Sequence, residues 1–147
     1  DIIIPPGVIY LQDNMVEIDG INIYGSPWQP RFYDWAFNVD RGEAIAKKWE
    51  LIPANADIII THGPVHGIVD STPDGLRVGC EELYKKIVEL KPKIHLSGHI
   101  HHSRGYREFN DTLFINACCL DEGYRYSRNP FLIEFDMETR EWELLYH

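Results

Sequence analysis

Residues 57–64 read Asp-Ile-Ile-Ile-Thr-His-Gly-Pro. A continuous β-branched run from Asp57 to Thr61 predicts a strand covered on both faces, with His62 directly at its carboxyl end. Residues 93–101 repeat the arrangement. Lys93–Leu96 reads as a strand, Ser97-Gly98 as a turn, and His99 and His101 follow at once. Between the two, Cys80–Leu90 carries Leu83, Tyr84, Ile87 and Leu90 at helical spacing, the mark of an amphipathic helix. Strand, helix and strand in this order place two histidine-bearing ends on one edge of an α/β sheet. Ligands of such sheets gather outside the carboxyl ends of the strands.

Six of the seven histidines lie between positions 62 and 102. Neutral imidazole ligates zinc, iron and related ions well. Residues two apart in an extended segment project to the same side, so His99 and His101 are expected to face one small volume. Gly63 and Gly98 are expected to let the backbone turn sharply and approach an ion. A lone histidine here would most simply be a surface residue; the cluster makes a metal centre the better reading. His95 lies inside its strand and is expected to be a hydrogen-bonded structural residue. His66 and His102 are candidate contacts for an anionic substrate, with plain solvent exposure as the competing reading. His147 is terminal and uninformative.

Working outward, Met15–Ile18 and Ile21–Tyr24 alternate around Asp19-Gly20, a strong hairpin signal. Val8–Leu11 is a brief apolar run. An aromatic loop from Gly25 to Asn38 carries Trp28, Phe32, Tyr33, Trp35 and Phe37. It is expected to form a satellite apolar cluster, or else one wall of a pocket that stacks on a ring. Asp40 with Glu43 resembles a capping box opening a helix to about Leu51, which Pro53 stops. Asn110-Asp111 reads as a turn. Thr112–Asn116, Phe131–Phe135 and Trp142–Tyr146 read as three further strands, and Asn116 is expected to hydrogen-bond within the histidine loops. The sum is a mixed α/β chain, 1–147, forming a single unit.

At 147 residues the chain buries enough surface for a core without staples. Its formal charge of −9 excludes non-specific nucleic-acid binding as a function class. No apolar run reaches the length of a membrane span, so no membrane partner is expected. Three cysteines, two of them adjacent, make no disulfide framework, and a reducing, cytoplasmic location is expected. Arg104, Arg107, Arg125 and Arg128 follow the histidine turn and are mostly surface charges, with bidentate phosphate contact as the alternative.

Thr61-His62-Gly63-Pro64 and Gly98-His99-Ile100-His101, each closing a strand, resemble the last two metal-binding motifs of the calcineurin-like metallophosphoesterases. Val8–Asp13 (VIYLQD), Ile23–Pro30 (IYGSPWQP), Arg77–Cys80 (RVGC) and Phe114–Ala117 (FINA) are similar to the metallophosphoesterase-domain-containing branch. The resemblance covers most of the chain, from about Val8 to Phe135. It implies a fold of two packed sheets flanked by helices and a site holding two divalent metal ions, manganese, iron or zinc. By motif, His62 and His99 would ligate one ion and His101 the other, with His99 also the catalytic position. The implied reaction is hydrolysis of a phosphodiester, with a nucleotide, cyclic nucleotides included, as the substrate.

The family's early motifs, Asp-x-His, Gly-Asp-x-x-Asp and Gly-Asn-His, do not occur here. The chain therefore resembles the C-terminal half of such a domain, half a β-sandwich, and holds at most one ion by itself. Asp70, Asp74 and Asp121 sit in loops without a motif to assign them. Val8, Ile58–Ile60 and Phe131–Phe135 are expected to pack against strands this chain lacks. The expected partner is the missing N-terminal half or a second copy. A catalytically silent metal-binding or interaction fragment is the alternative function.

Overall fold

The computed structural model describes residues 3–146, so His147 lies outside the described residues. Strand β1 (Asn14–Ile18) turns into β2 (Ile21–Ser26) through Asp19 and Gly20, both at positive φ, the twist-matched hairpin turn. Two short segments, β3 (Gln29–Pro30) and β4 (Asn38–Val39), pair at the base of the aromatic loop. Helix α1 (Glu43–Trp49), strand β5 (Ile58–Thr61), helix α2 (Glu81–Leu90) and strand β6 (Ile94–Ser97) follow. Then come β7 (Gly105–Phe109), β8 (Thr112–Asn116), β9 (Leu132–Phe135) and β10 (Trp142–Tyr146). No helix among the described residues is long and apolar enough to cross a membrane.

Six strands form one mixed sheet in the order β1-β2-β5-β6-β8-β7, with β2, β5, β6 and β8 parallel. Strand alternation sorts the side chains between its faces. Tyr24, Ile59 and Phe114 face Ile45 and Trp49 of α1 and Leu83 and Ile87 of α2, the main core. Ile94, Leu113 and Ile115 face the other way, onto Phe131, Ile133, Phe135 and Trp142 of the β9–β10 hairpin. Arg140 clips that hairpin down by pairing with Asp57 and donating to the Gly20 carbonyl.

Four expectations need correction. The Ile58–Thr61 strand is not covered on both faces: Ile59 is fully buried, but Ile60 is 39% exposed because the β9–β10 hairpin packs over β6 and β8 instead. For the same reason Phe131, Ile133 and Phe135 pack on this chain's own sheet rather than awaiting absent strands. Val8, at 56%, is exposed as expected. Asp40 does not cap α1; it pairs with Arg31, and Gly42 occupies the cap position. Strand β7 was not foreseen. Its turn uses Asn110 and Asp111, both at positive φ, a geometry these short polar side chains tolerate without a marking glycine.

Helix α2 starts on Cys80, whose Sγ accepts from the Leu83 N–H and from the Trp49 indole at 3.3 Å. It ends on Lys91 in the left-handed conformation ahead of Pro92. Burial pushes the Cys80 thiol pKa up, so this cysteine is a structural group.

His95 is buried on the helix side of β6, as its position in the strand predicts. Thr61 Oγ1 donates to the Gly63 carbonyl at 2.7 Å, so at 2.9 Å it accepts from His95 Nε2. Burial lowers the His95 pKa from 6.5 to about 3. Below pH 6.5 the unfolded chain binds a proton that the folded chain refuses, so acidification destabilises the fold until about pH 3. The cost is about 1.4 kcal/mol per pH unit for this one group. Urea unfolding at pH 7, 6 and 5 should show a shallower loss of stability for His95→Gln than for the unsubstituted chain. Equal slopes would show that His95 is not held neutral.

Candidate functional site

Because β5 and β6 are parallel and adjacent, their carboxyl ends lie side by side, and His62 and His99 leave the sheet at the same edge. Their ring centroids are 4.5 Å apart with planes inclined at 40°. The Gly98 N–H donates to the His62 carbonyl at 3.0 Å, which ties the two turns together. The residue in the left-handed conformation is His99 (φ 67), not the glycine beside it. A histidine in that conformation is uncommon and clusters at functional sites.

His99, His101 and His102 line one cavity of about 400 Å³. This convergence does not come from extended alternation, because the chain turns at His99 and coils into a single 3-10 turn at His101–Ser103. His62 borders an adjacent groove with Ile60, Val8 and Trp35. His66 lies elsewhere, in a separate hollow with Tyr84, Arg107 and Phe109. His102 is exposed, its Nδ1 3.3 Å from Glu122 Oε1 at the cavity rim.

His101 Nδ1 is 2.7 Å from the Asp121 carbonyl oxygen. A carbonyl only accepts, so Nδ1 carries the hydrogen, and in the neutral ring Nε2 then presents the lone pair. That is the tautomer of a metal-ligating histidine backed by a second hydrogen bond. Burial, then the nearby His62 and His101, push the His99 pKa down to about 4. Desolvation by the atoms packed around it lowers the His62 pKa too, although His62 is an exposed residue. Both are therefore neutral near pH 7, the form that binds metal. Among the described residues, no group of three or more His, Cys, Asp or Glu side chains is placed to hold an ion. The donors fit part of a metal shell, not a closed one.

The aromatic loop forms one wall of the cavity. Phe32 and Trp35 meet the His99 ring edge-on, at 5.7 and 6.2 Å, and Tyr124 meets His101 at 5.0 Å. Asn38 holds this wall through bonds to the Phe32 N–H and to the Phe32 and Tyr33 carbonyls. Arg31, paired with Asp40, and Arg41, paired with Glu81 and donating to the Val78 and Gly79 carbonyls, also line the cavity. No spacing signal in the sequence marks either arginine. Of the four arginines after the histidine turn, none lines the cavity: Arg104 lies over the Phe131 ring, Arg125 pairs with Asp121, Arg128 donates to the His101 and Leu120 carbonyls, and Arg107 borders the His66 hollow.

Asp70 organises the long loop after β5. Its buried carboxylate accepts from the Gly67 and Gly79 N–H groups and pairs with Arg77. It is a structural knot, not a ligand. Gly79 is required there because a Cβ would stand 2.2 Å from the Val65 carbonyl oxygen. Asp74 bonds Thr72, and Asp121 holds Arg125 through its side chain while its carbonyl serves His101.

No family model matches the sequence. Metallophosphoesterase domain-containing protein 1 of Homo sapiens is 44% identical over 128 residues, covering 86% of this chain and 39% of that protein. UPF0046 protein T07D4.2 of Caenorhabditis elegans is 42% identical over 127 residues, covering 86% of this chain and 32% of its own length. UPF0046 protein K07C11.7, also of Caenorhabditis elegans, is 33% identical over 132 residues, covering 90% and 45%. A solved crystal structure superposes with a TM-score of 0.53 at 20% identity, over 74% of this chain and 45% of that one, and speaks to the fold alone. The chain spans less than half the length of these curated relatives. With the paired histidine turns on neighbouring strand ends, this similarity shows that the chain belongs to the metallophosphoesterase family.

Proposed function

We propose that this chain is the C-terminal portion of a metallophosphoesterase domain and carries the histidine half of a two-ion site for hydrolysing phosphodiesters. The observation that carries the reading is the 4.5 Å approach of His62 to His99 at the ends of parallel neighbouring strands. His62 and His99 would hold one divalent ion and His101 would serve the second, so the chain alone binds at most one. Imidazole donors suit manganese, iron or zinc. A bound ion supplies Lewis-acid polarisation of the phosphoryl oxygens and an acidic bound water.

The chain's own residues account for orientation. Arg31 and Arg41, each paired with a carboxylate, would turn toward an anionic phosphodiester in the cavity they line, and His102 would add an anion contact at the rim. Phe32, Trp35 and Tyr124 offer ring faces and edges to a flat, non-reacting group, which favours a nucleotide, cyclic nucleotides included. His66 lines a separate hollow beside Arg107.

A second reading rests on the groove of about 670 Å³ lined by Ile3, Val8, Ile9, Trp35, Phe37 and Ile60. Its apolar lining suits the remainder of such a domain, or a second copy, and a chain used only for that contact would be catalytically silent.

Calorimetric titration with manganese or zinc should give no more than one ion per chain, and His99→Ala should weaken binding by at least about 10-fold. Unchanged affinity would remove His99 from the site. Hydrolysis of an aryl phosphodiester should appear with manganese only when the N-terminal portion of a relative is added. Silence in both arms favours the second reading. Size exclusion should show association that Ile60→Lys reduces; a monomer that binds no apolar dye would argue against the groove as a contact.

A further inference from the structure

The buried carboxamide of Asn116 joins the three loops that carry the histidine site. Asn116 is fully buried at the end of β8. Its Nδ2 donates to the Val69 carbonyl in the His62 loop at 3.1 Å and to the Ile100 carbonyl, between His99 and His101, at 2.8 Å. Its Oδ1 accepts from the Cys118 N–H at 3.2 Å, at the head of the loop whose Asp121 carbonyl fixes His101 Nδ1. All three bonds use distinct groups of one amide, so the orientation is determined: two donors face two carbonyls, and the oxygen faces an N–H.

Two further ties run parallel to it. The Ser71 and Ser103 hydroxyls are 2.7 Å apart, and Ser103 Oγ also donates to the Ser71 carbonyl at 2.8 Å. Arg128 donates to the His101 and Leu120 carbonyls. Both lie nearer the surface. Asn116 touches all three loops from beneath, with its own side chain fully buried.

We infer that Asn116 is a positioning residue, setting the spacing of His62, His99 and His101 through the backbone rather than by contact with a ligand. The inference rests on the metal reading for its consequence, and on the hydrogen-bond geometry alone for its structural content. Losing the amide leaves the part-buried Val69 and Ile100 carbonyls without this donor, and the two histidine turns are then free to separate.

The test uses Asn116→Ala, with Leu113→Ala as a control that opens the same strand without touching the loops. In the metal-free protein, a nuclear Overhauser contact between the His62 and His99 rings should be present in the unsubstituted chain and in Leu113→Ala, and lost in Asn116→Ala. Cobalt(II) titration, followed by its visible ligand-field bands, should show affinity lowered about 10- to 100-fold in Asn116→Ala, with altered band positions. A retained ring contact with unchanged cobalt affinity overturns the inference, as does equal loss in Leu113→Ala. If the unsubstituted chain binds no cobalt but the ring contact still depends on Asn116, the metal reading fails and the positioning role stands. If Asn116→Ala does not fold, the unsubstituted protein decides: slow exchange of both Asn116 Nδ2 protons supports the role, and rapid exchange overturns it.

Discussion

Parallel pairing of Ile58–Thr61 with Ile94–Ser97 is the constraint on which the rest depends. Parallel neighbours end at the same edge of a sheet, so whatever follows one strand meets whatever follows the other. Here both are followed by histidine. The pairing needs a crossover between the strands, and α2 supplies it, held to the sheet by Leu83 and Ile87 and capped by Cys80. The Thr61–His95 hydrogen bond ties the two strands just below their ends, from within the core. The placement of the two turns is thus a consequence of the core.

Above the sheet edge, order comes from polar contacts. Asp70 knots the loop after β5, Asn116 reaches into the loops beside it, and the Asp121 carbonyl selects one His101 tautomer. Bonds with little access to solvent are costly to leave unmade, so this set holds the irregular backbone of the loops in place. The left-handed His99 is tolerated inside this frame. Burial in this frame, and then the neighbouring imidazoles, hold the His99 pKa down.

The two faces of the sheet are unequal. Helices cover one face, while the β9–β10 hairpin covers only part of the other and leaves Ile60 beside an apolar groove. A β-sandwich needs both layers to close its core. The open part of this face adjoins His62, which lines the same groove as Ile60.

By itself, the sequence determined what depends on local pattern. The Asp19-Gly20 hairpin, the α2 helix, the histidine-ended strands and buried His95 are all legible because periodicity, turn residues and strand runs are written over a few neighbouring residues. The motifs also carried the family. Tertiary structure alone decided how those pieces met. Which face of Ile58–Thr61 is covered, that Arg31 and Arg41 line the cavity while Arg104 and Arg125 do not, that His66 lines a separate hollow, and that Asn116 binds three loops all depend on contacts between distant parts of the chain. Period-2 alternation specifies that a strand has two faces, but not what packs on each, and hydrogen bonds between distant loops leave no spacing signature in the chain.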